Sequence, residues 1–207
     1  MSAQLDLPGM PKRLFSATPS KLAAFADCPR RYRFAYLVRP TPARGPAWAH
    51  NTVGAAVHAA LRSWWDLAVP RRTPGAARQL LYTGWSQNGF RDAEQSERWR
   101  ARAAGWVTDY VAGLDPADEP AGTERTVGAT TERLALSGRI DRIDQRGDEL
   151  VVVDYKTGRS VSTEDEARGS PALAAYVLGV RRTLRRSCSR VELHHLPSGT
   201  VAAFEHT

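Results

Sequence analysis

The spacing of apolar residues changes about halfway along the chain. In the first half, apolar residues recur every three to four positions, which is the period of a helix that buries one face. The clearest example spans residues 52–68, and two further helices are predicted over residues 75–87 and 93–113. The apolar face of the first of these three consists of Val53, Val57, Leu61 and Trp64 or Trp65.

Capping residues predict where the most N-terminal helix begins and ends. Thr18 suits the N-cap and Pro19 the first helical position, and Pro29 breaks this helix and can open another one through Tyr36. Residues 1–15 contain two Pro and one Gly and are predicted to be a flexible arm. Linkers rich in Pro and Gly are predicted at residues 39–51 and 114–122.

After the second linker the period becomes two, as in strands with one buried face. Residues 123–136 alternate weakly and residues 137–144 alternate clearly. A tight turn at residues 145–148 then leads into the largely apolar strand 149–156. A helix over residues 171–186 and two final strands complete the pattern.

The order of these elements predicts one domain over residues 16–207. Helices occupy residues 16–113 and an antiparallel meander opens the sheet core of residues 123–207, with one helix inserted before the last strands. This order indicates the α/β class or, equally, α+β, with a central mixed sheet flanked by helices and an N-terminal helical region. The length is sufficient for one sizeable core.

Charge and cysteine content narrow the classes of function. Lys and Arg number 29 against 22 Asp and Glu, giving a net charge of +7 and a pI near 9.9. This excess suits a polyanionic partner such as nucleic acid, and it is equally typical of an Arg-rich genome composition. The chain has two Cys, no signal-like N-terminal segment and no apolar run long enough to span a membrane, so we expect a cytoplasmic protein.

The strand "VVVDYK" ends in two charged residues that share one side. Residues two apart in a strand project together, so Asp154 and Lys156 point the same way and Tyr155 points the other way. The predicted hairpin brings Asp141 alongside. Converging carboxylates repel unless a cation joins them, and oxygen ligands suit Mg²⁺ or Mn²⁺. A cross-strand ion pair between Lys156 and Asp141 or Asp154 also satisfies the pattern, and the strand pattern by itself favours that ion pair.

Four motifs together resemble the PD-(D/E)xK nuclease superfamily, in its RecB-like exonuclease branch. They are "SGRIDRID" followed by "VVVDYKTG", the segment from Leu22 to Phe34 containing "CPRRY", the "GAAVH" of Gly54 to His58, and a helix after the D-x-K strand. They keep the family's order and span residues 16 to about 200. The resemblance implies a restriction-endonuclease-like core and a metal-dependent deoxyribonuclease that acts on DNA single strands or duplex ends in repair or recombination.

The resemblance also implies a role for individual residues. Asp141 and Asp154 would hold the metal, His58 would be the additional ligand of the RecB-like branch, and Lys156 would position the attacking water and the phosphate. Tyr176 matches the Tyr of a Q-x-x-x-Y motif and is a candidate catalytic residue. Glu124 is a candidate additional acid from the preceding strand. Alternative interpretations are a core histidine for His58, core packing for Tyr176 and a surface carboxylate for Glu124.

Two departures from the family pattern bear on function. The Gln of Q-x-x-x-Y falls on Ala172, so a contact near the site is missing. In many RecB-like nucleases the Cys of C-P-R-R-Y, here Cys28, is a ligand of a [4Fe–4S] cluster, which needs four thiolates. This chain has only Cys28 and Cys188, so it is either a cluster-free member or truncated. We expect truncation at the C-terminus, because the chain stops in a strand where the family continues with a helix.

Three arginines, Arg30, Arg31 and Arg33, flank Cys28-Pro29 and are candidates for contacts to the DNA backbone, or else belong to a solvated helix face. The competing hypothesis for the whole chain is a catalytically weak or inactive nuclease-like module that binds DNA or a helicase partner. Ala172 favours it, and the intact set of Asp141, Asp154 and Lys156 argues against it. Another phosphate-handling enzyme is a third reading, although no Gly-rich nucleotide-binding loop is present.

Overall fold

The computed structural model describes residues 14–42 and 45–207. The helices are α1 (Pro19–Asp27), α2 (Pro29–Tyr32), α3 (Ala49–Trp65), α4 (Pro74–Thr83), α5 (Ala93–Ala112), α6 (Glu164–Gly169) and α7 (Pro171–Leu184). The strands are β1 (Phe15–Ala17), β2 (Gly122–Thr130), β3 (Leu134–Arg146), β4 (Glu149–Lys156), β5 (Cys188–His195) and β6 (Thr200–Glu205). A π-helical turn at Arg33–Leu37 follows α2, and a 3₁₀ turn at Val69–Arg71 precedes α4. Within these described residues, no helix is long and apolar enough to cross a membrane.

The caps that define the first helices lie where the sequence predicts them. Thr18 accepts a hydrogen bond from the Lys21 amide, and Pro19 occupies the first position of α1. Cys28 then caps α2, because its Sγ accepts from the Arg31 amide at 3.4 Å. These contacts satisfy amides that have no partner inside the helix.

The sheet is mixed and contains six strands. β2, β3 and β4 form an antiparallel meander, β4 pairs in parallel with β5, and β6 pairs antiparallel with β5. The helices α6 and α7 form the crossover between β4 and β5, which a parallel pair requires. The predicted α/β class with a central mixed sheet and flanking helices is confirmed.

Helices cover both faces of the sheet, and this explains the run of three Val in β4. Val153 packs into a core with α3, α4 and α5, and Val152 packs into a second core beneath α7. Val151, Val152 and Val153 are all buried. A strand covered on both faces is apolar at successive positions. Each buried Val side chain contributes roughly 1.5–3 kcal/mol relative to exposure.

The long strand β3 has two different partners along one of its edges. β1 pairs with it at residues 134–136 and β4 pairs with it at residues 142–146. Residues 137–141 lie between these pairings and have only β2, on the opposite edge, as a described strand neighbour. The sheet therefore opens at this point, and the opening leaves room for polar side chains at the centre of the fold.

The structure corrects some predicted boundaries. The helix predicted over residues 52–68 runs three residues earlier at both ends, because Trp48 is its N-cap and Asp66 its C-cap. The strand β1 and the helix α6 were not predicted. β1 has only three residues, and α6 has six and begins with a capping box at Thr163 and Glu166, so neither is long enough to display a clear period.

The flexible arm predicted for residues 1–15 lies mostly outside the described residues. At its end the prediction was wrong, because Phe15 already belongs to β1. The Phe15 amide donates to the Arg133 carbonyl, so the partner that orders this residue comes from more than a hundred positions further along the chain. A local pattern cannot register a pairing at that distance.

Candidate active site

Three carboxylates lie at the opening in the sheet, one on each strand of the meander. Thr123 is paired with Arg142 and Arg125 with Ile140, so Glu124 stands opposite Asp141. On the other side the register places Asp154 opposite Asp141, one position beyond the Arg142–Val153 pair. The pairing of the three strands therefore brings together three carboxylates that are spread over thirty positions of the sequence.

The backbone is irregular where these carboxylates lie. Glu124 has a φ of +47°, a left-handed conformation that is unfavourable for residues other than Gly. Oδ2 of Asp141 accepts a hydrogen bond from the Tyr155 amide at 2.8 Å, so a side chain binds the backbone of the neighbouring strand there. Strained backbone of this kind costs about 1–3 kcal/mol and clusters at functional sites.

Helix α3 brings His58 to Asp141. Nδ1 of His58 lies 3.1 Å from Oδ1 of Asp141, and because a carboxylate can only accept, the ring donates this hydrogen bond. Gly54, one turn earlier on the same face, permits the close approach of α3: a Cβ at this position would lie 3.3 Å from Oγ1 of Thr157. The G-x-x-x-H spacing thus combines a small residue for packing with a side chain for the site.

The acids around His58 control its protonation. Burial lowers the pKa of His58, but the hydrogen bond and negative charge of Asp141 outweigh this, with further contributions from Asp154 and Glu124. The net pKa is raised above the ordinary value. The ring therefore lies in a strongly negative environment, which also attracts metal cations.

Asp154 and Lys156 form an ion pair at the end of β4. Nζ of Lys156 lies 2.6 Å from Oδ2 of Asp154, and no other donor among the described residues contacts this buried oxygen. Burial raises the pKa of Asp154; the Lys156 ammonium opposes the rise and the Asp141 carboxylate adds to it. A carboxylate whose one close partner is a partly exposed ammonium keeps lone pairs that a ligand can use.

Tyr176 on α7 reaches the opening because the facing strand has no side chain at Gly138. A Cβ at Gly138 would lie 2.5 Å from Cε1 of Tyr176, so only Gly allows this contact. Burial and the charges of Asp154 and Asp141 raise the pKa of Tyr176 to about 12, and its hydroxyl therefore remains a donor at neutral pH. Tyr176 lines a cleft of about 1170 Å³ together with His58, Glu124, Asp141 and Lys156.

The donor atoms in this cleft suit a divalent cation. One atom each from His58, Glu124 and Asp141 lies within 4.8 Å of the others, and this is the one such group of three His, Cys, Asp or Glu among residues 14–42 and 45–207. The sequence-based set was His58, Asp141 and Asp154. The structure adds Glu124 to the first two, and Asp154 stands beside them, paired with Lys156. The carboxylate ligands suit Mg²⁺ or Mn²⁺, whereas an imidazole ligand is more typical of transition metals than of Mg²⁺.

For Glu124 the sequence leaves two interpretations open, an additional acid of the site and a surface carboxylate. It now forms an ion pair with Arg139 at 2.7 Å, and its side chain is only 13% exposed. The alternating pattern of the strand could not reveal this, because the positive φ of Glu124 departs from regular strand geometry. The sign that Glu124 belongs to the site is its position opposite Asp141. Recognising that position requires knowledge of how β2 and β3 are aligned.

Ala172, at the position expected to be Gln, lines a second and smaller cleft. This cleft has a volume of about 510 Å³ and borders Asp154 and Lys156 from the side of α7. The short side chain of Ala172 leaves space there that a longer residue would fill. The missing Gln is therefore a real difference beside the site, since α7 begins at Pro171 as the sequence predicted.

The remaining candidates lie outside the main cleft. The three arginines Arg30, Arg31 and Arg33 are exposed; Arg31 pairs with Asp27, and Arg30 lies over the Phe34 ring. Cys28 caps a helix, and Cys188 is a buried thiol whose pKa burial raises to about 11. Two free thiols do not supply the four thiolates of a [4Fe–4S] cluster, so the residues of this chain do not fit that cofactor.

Comparison with known proteins identifies the family. The search of curated proteins gave no match. The family model described as the PD-(D/E)XK nuclease superfamily matches residues 16–202, which include the whole meander, α3 and α7. The match covers most of the chain and every candidate residue around the opening in the sheet, and the chain therefore belongs to the PD-(D/E)XK nuclease superfamily.

Proposed function

We propose that this protein is a metal-dependent deoxyribonuclease of the RecB-like branch that hydrolyses phosphodiester bonds. The observation that carries the proposal is the convergence of Glu124, Asp141, Asp154 and His58, with Lys156, at the one opening in the described sheet. Membership of a nuclease superfamily and the net charge of +7 support DNA as the substrate.

The acidic residues and His58 would hold Mg²⁺ or Mn²⁺. Such an ion, when bound, supplies charge for a phosphoryl oxygen and lowers the pKa of water. The strained Glu124 backbone and the Asp141–Tyr155 hydrogen bond hold the ligands in place before binding. Preorganised ligands lose little conformational freedom when a cation arrives.

Lys156 and Tyr176 would act on the substrate directly. The Lys156 side chain is 45% exposed and lines the cleft, so its ammonium can donate to a phosphate oxygen while Asp154 restrains it. Tyr176 is protonated at neutral pH, and its pKa is raised further to about 12 by burial and the nearby acids, so its hydroxyl can donate a second hydrogen bond. Fixed donors directed at developing negative charge are a major source of rate enhancement.

The resemblance favours an exonuclease that works in cytoplasmic DNA repair or recombination. An exonuclease degrades linear DNA and leaves a covalently closed circle intact. Incubation with end-labelled linear single strands, duplexes and closed circles therefore distinguishes exonuclease from endonuclease action. A helicase partner belongs to the same proposal, and co-purification of the two proteins would test it.

The central experiment measures cleavage of these DNAs with Mg²⁺, with Mn²⁺ and with EDTA. We expect cleavage with metal and none with EDTA, and a loss of about 10²- to 10³-fold in Lys156→Ala and Asp141→Asn. Asp148→Asn is the matched control, because Asp148 is exposed in the turn between the same two strands. Cleavage that persists in EDTA, or that survives Lys156→Ala, would contradict the mechanism.

Ala172 favours a second candidate function, a weak or inactive module that binds DNA. In that case the wild-type protein would cleave no DNA with either metal and would still bind it tightly, with an affinity that falls steeply as salt rises. The two candidates therefore differ in a single measurement on the unmodified protein.

A further inference from the structure

We propose that a groove beside the active-site cleft binds unpaired nucleotides of single-stranded DNA by stacking on Trp48. This groove, called the Trp48 groove below, has a volume of about 1140 Å³. Its principal lining residues are Trp48, His50, Phe90, Arg91, Trp99 and Arg159. The inference rests on the proposed nuclease function, and the experiment below separates the failure of one from the failure of the other.

The Trp48 ring is unusually available for an aromatic residue. It is 64% exposed, the highest value among the exposed large hydrophobic residues of the described chain. The other five Trp are buried or half-buried. Trp rings are large enough to contribute strongly when a flat apolar surface covers them. An exposed base provides such a surface.

The position of Trp48 is fixed by the loop that packs against it. Gly89 has a φ of +86°, and a Cβ there would lie 2.7 Å from the backbone of both Trp48 and Ala49. Thr52 donates a hydrogen bond to the Asn88 carbonyl at 2.7 Å, which ties the same loop to the first turn of α3. A ring on a fixed backbone loses little freedom when a base stacks on it.

The groove is continuous with the proposed site of cleavage. The two clefts share His50 and Gly158, and Gly158 follows two residues after Lys156. His50 and His58 lie on one face of α3, two turns apart, which corresponds to about 12 Å along the helix. The Trp48 and His50 rings are neighbours, with centroids 6.1 Å apart and planes inclined by 33°. A strand leaving the site along this face would pass both rings.

The charge of the groove matches a phosphate backbone. No Asp or Glu lines it among the described residues, whereas Arg91 and Arg159 do. Arg91 is paired with Asp92 at 2.7 Å, but Arg159 is exposed and takes part in no ion pair within the described chain. A cationic groove with an aromatic platform is the usual arrangement for nucleic acid without sequence preference. Only unpaired bases offer a free face, which favours a single strand over a duplex.

The test measures binding of a labelled short oligothymidylate and of a blunt hairpin duplex by fluorescence anisotropy in EDTA. Trp48→Ala should weaken single-strand binding about fivefold or more and leave duplex binding within twofold, because stacking contributes about 1–3 kcal/mol per base. Trp48→Phe should retain most of the affinity. Tyr82→Ala, which removes an exposed ring outside both clefts, is the matched control and should have no effect.

A charge variant makes the test independent of any folding defect in Trp48→Ala. Arg159→Gln should reduce single-strand affinity and lower the salt dependence by about one counterion, and Arg78→Gln, an exposed arginine on α4, should change neither. Equal weakening of single strand and duplex in Trp48→Ala, or unchanged single-strand binding, would overturn the inference. Absence of wild-type binding to the oligothymidylate would also overturn it.

Because binding in EDTA requires no cleavage, the result does not depend on catalysis. A protein that binds single strands through Trp48 and cleaves nothing would support the groove and contradict the nuclease proposal. A protein that cleaves DNA while Trp48→Ala binds as tightly as wild type would support the nuclease proposal and overturn the groove.

Discussion

Two carboxylates, one half-buried and one buried, occupy adjacent positions in the sheet and have opposite surroundings. Asp154 on β4 is in register with Leu193, and Glu192 on β5 is in register with Val153, so the two acids are one position apart. Neighbouring strand positions face opposite sides. Asp154 consequently lies on the α7 side of the sheet, where it lines the smaller cleft, whereas Glu192 lies on the side covered by the long helices.

Glu192 has a complete set of hydrogen bonds. Oε1 accepts from Arg146 at 2.6 Å and from Arg190 at 2.8 Å, and Oε2 accepts from Arg146 at 2.7 Å and from His194 at 3.0 Å. Burial alone would raise the pKa of Glu192, but these donors outweigh it and hold the pKa well below the ordinary value.

Asp154, in contrast, has the Lys156 ammonium at 2.6 Å as its one close partner among the described residues. Low exposure and negative charge are common to both acids and therefore do not distinguish them. The difference indicates that a saturated carboxylate stabilises the fold, whereas an unsaturated one is available for a ligand.

The largest effect that follows from this comparison is on cleavage. Asp154→Asn should reduce the rate with Mg²⁺ or Mn²⁺ by about 10²-fold or more, because the neutral amide is a poor metal ligand and no longer restrains Lys156 by charge. In EDTA the same variant should melt at the wild-type temperature or above it, since a buried charge has been removed. A large loss of stability in EDTA would contradict the assignment of Asp154 to the site.

The second prediction concerns Glu192→Gln, which should behave in the opposite way. Losing the charge leaves Arg146, Arg190 and His194 without their common acceptor, and we expect unfolding to become easier by about 1–3 kcal/mol. Cleavage per folded molecule should remain within about twofold of wild type, as measured below the melting temperature. A selective loss of cleavage would show that the Glu192 cluster supports the site as well as the fold.

The third prediction concerns how the stability of each variant, relative to wild type, changes with pH. As the pH falls, Glu192→Gln should approach wild type from lower stability and Asp154→Asn should approach it from higher stability. Because the pKa of Glu192 is depressed in the folded state, its stabilisation is present above the ordinary pKa and is lost as pH falls through the folded pKa. The destabilisation in Glu192→Gln should therefore shrink in acid. It can be measured by urea unfolding over a range of pH.

For Asp154 the pKa is raised, so the cost of its charge is full above the folded pKa and disappears as pH falls towards the ordinary value of 3.8. The gain in stability of Asp154→Asn in EDTA should therefore shrink as the pH falls from the folded pKa of Asp154 towards 3.8. The effect of Glu192→Gln should shrink at lower pH, because the folded pKa of Glu192 lies below its ordinary value. Parallel pH profiles for the two variants would contradict the comparison.

The smallest predicted effect is a gain in Ala172→Gln. The longer side chain would extend into the cleft beside Asp154 and Lys156, where its amide can add one neutral hydrogen bond. A bond worth about 1 kcal/mol corresponds to about a three- to tenfold higher kcat/KM. Ala172→Leu has similar bulk without the amide and serves as the control. Equal rates for both variants would exclude a polar role at this position.

Much of the fold was predictable because its signals are local. The caps at Thr18 and Pro19, the apolar face of α3 and the turn between β3 and β4 all depend on neighbours a few positions away. The same holds for the shared side of Asp154 and Lys156, which follows from the period of a strand. The chemistry of His58 was suggested by resemblance alone, because a His on an apolar helix is more often a core residue.

Two features of the site could be recognised only in the tertiary structure, because they depend on the alignment of the strands and on which strands share an edge. Glu124 joins His58 and Asp141 only because two strands align at one position and the backbone of Glu124 is distorted there. The opening in β3 exists because β1 and β4 share one edge of a long strand and leave residues 137–141 between them. Neither feature leaves a mark in local periodicity.

The sequence by itself determined most of the elements, the apolar run of β4 and the shared side of Asp154 and Lys156, since these follow from short-range spacing. Only the tertiary structure decided which carboxylates have several hydrogen-bond donors and which have one partner, and which aromatic ring is exposed. Those properties depend on what every other part of the chain places around a residue, and burial and hydrogen bonding are set by long-range packing.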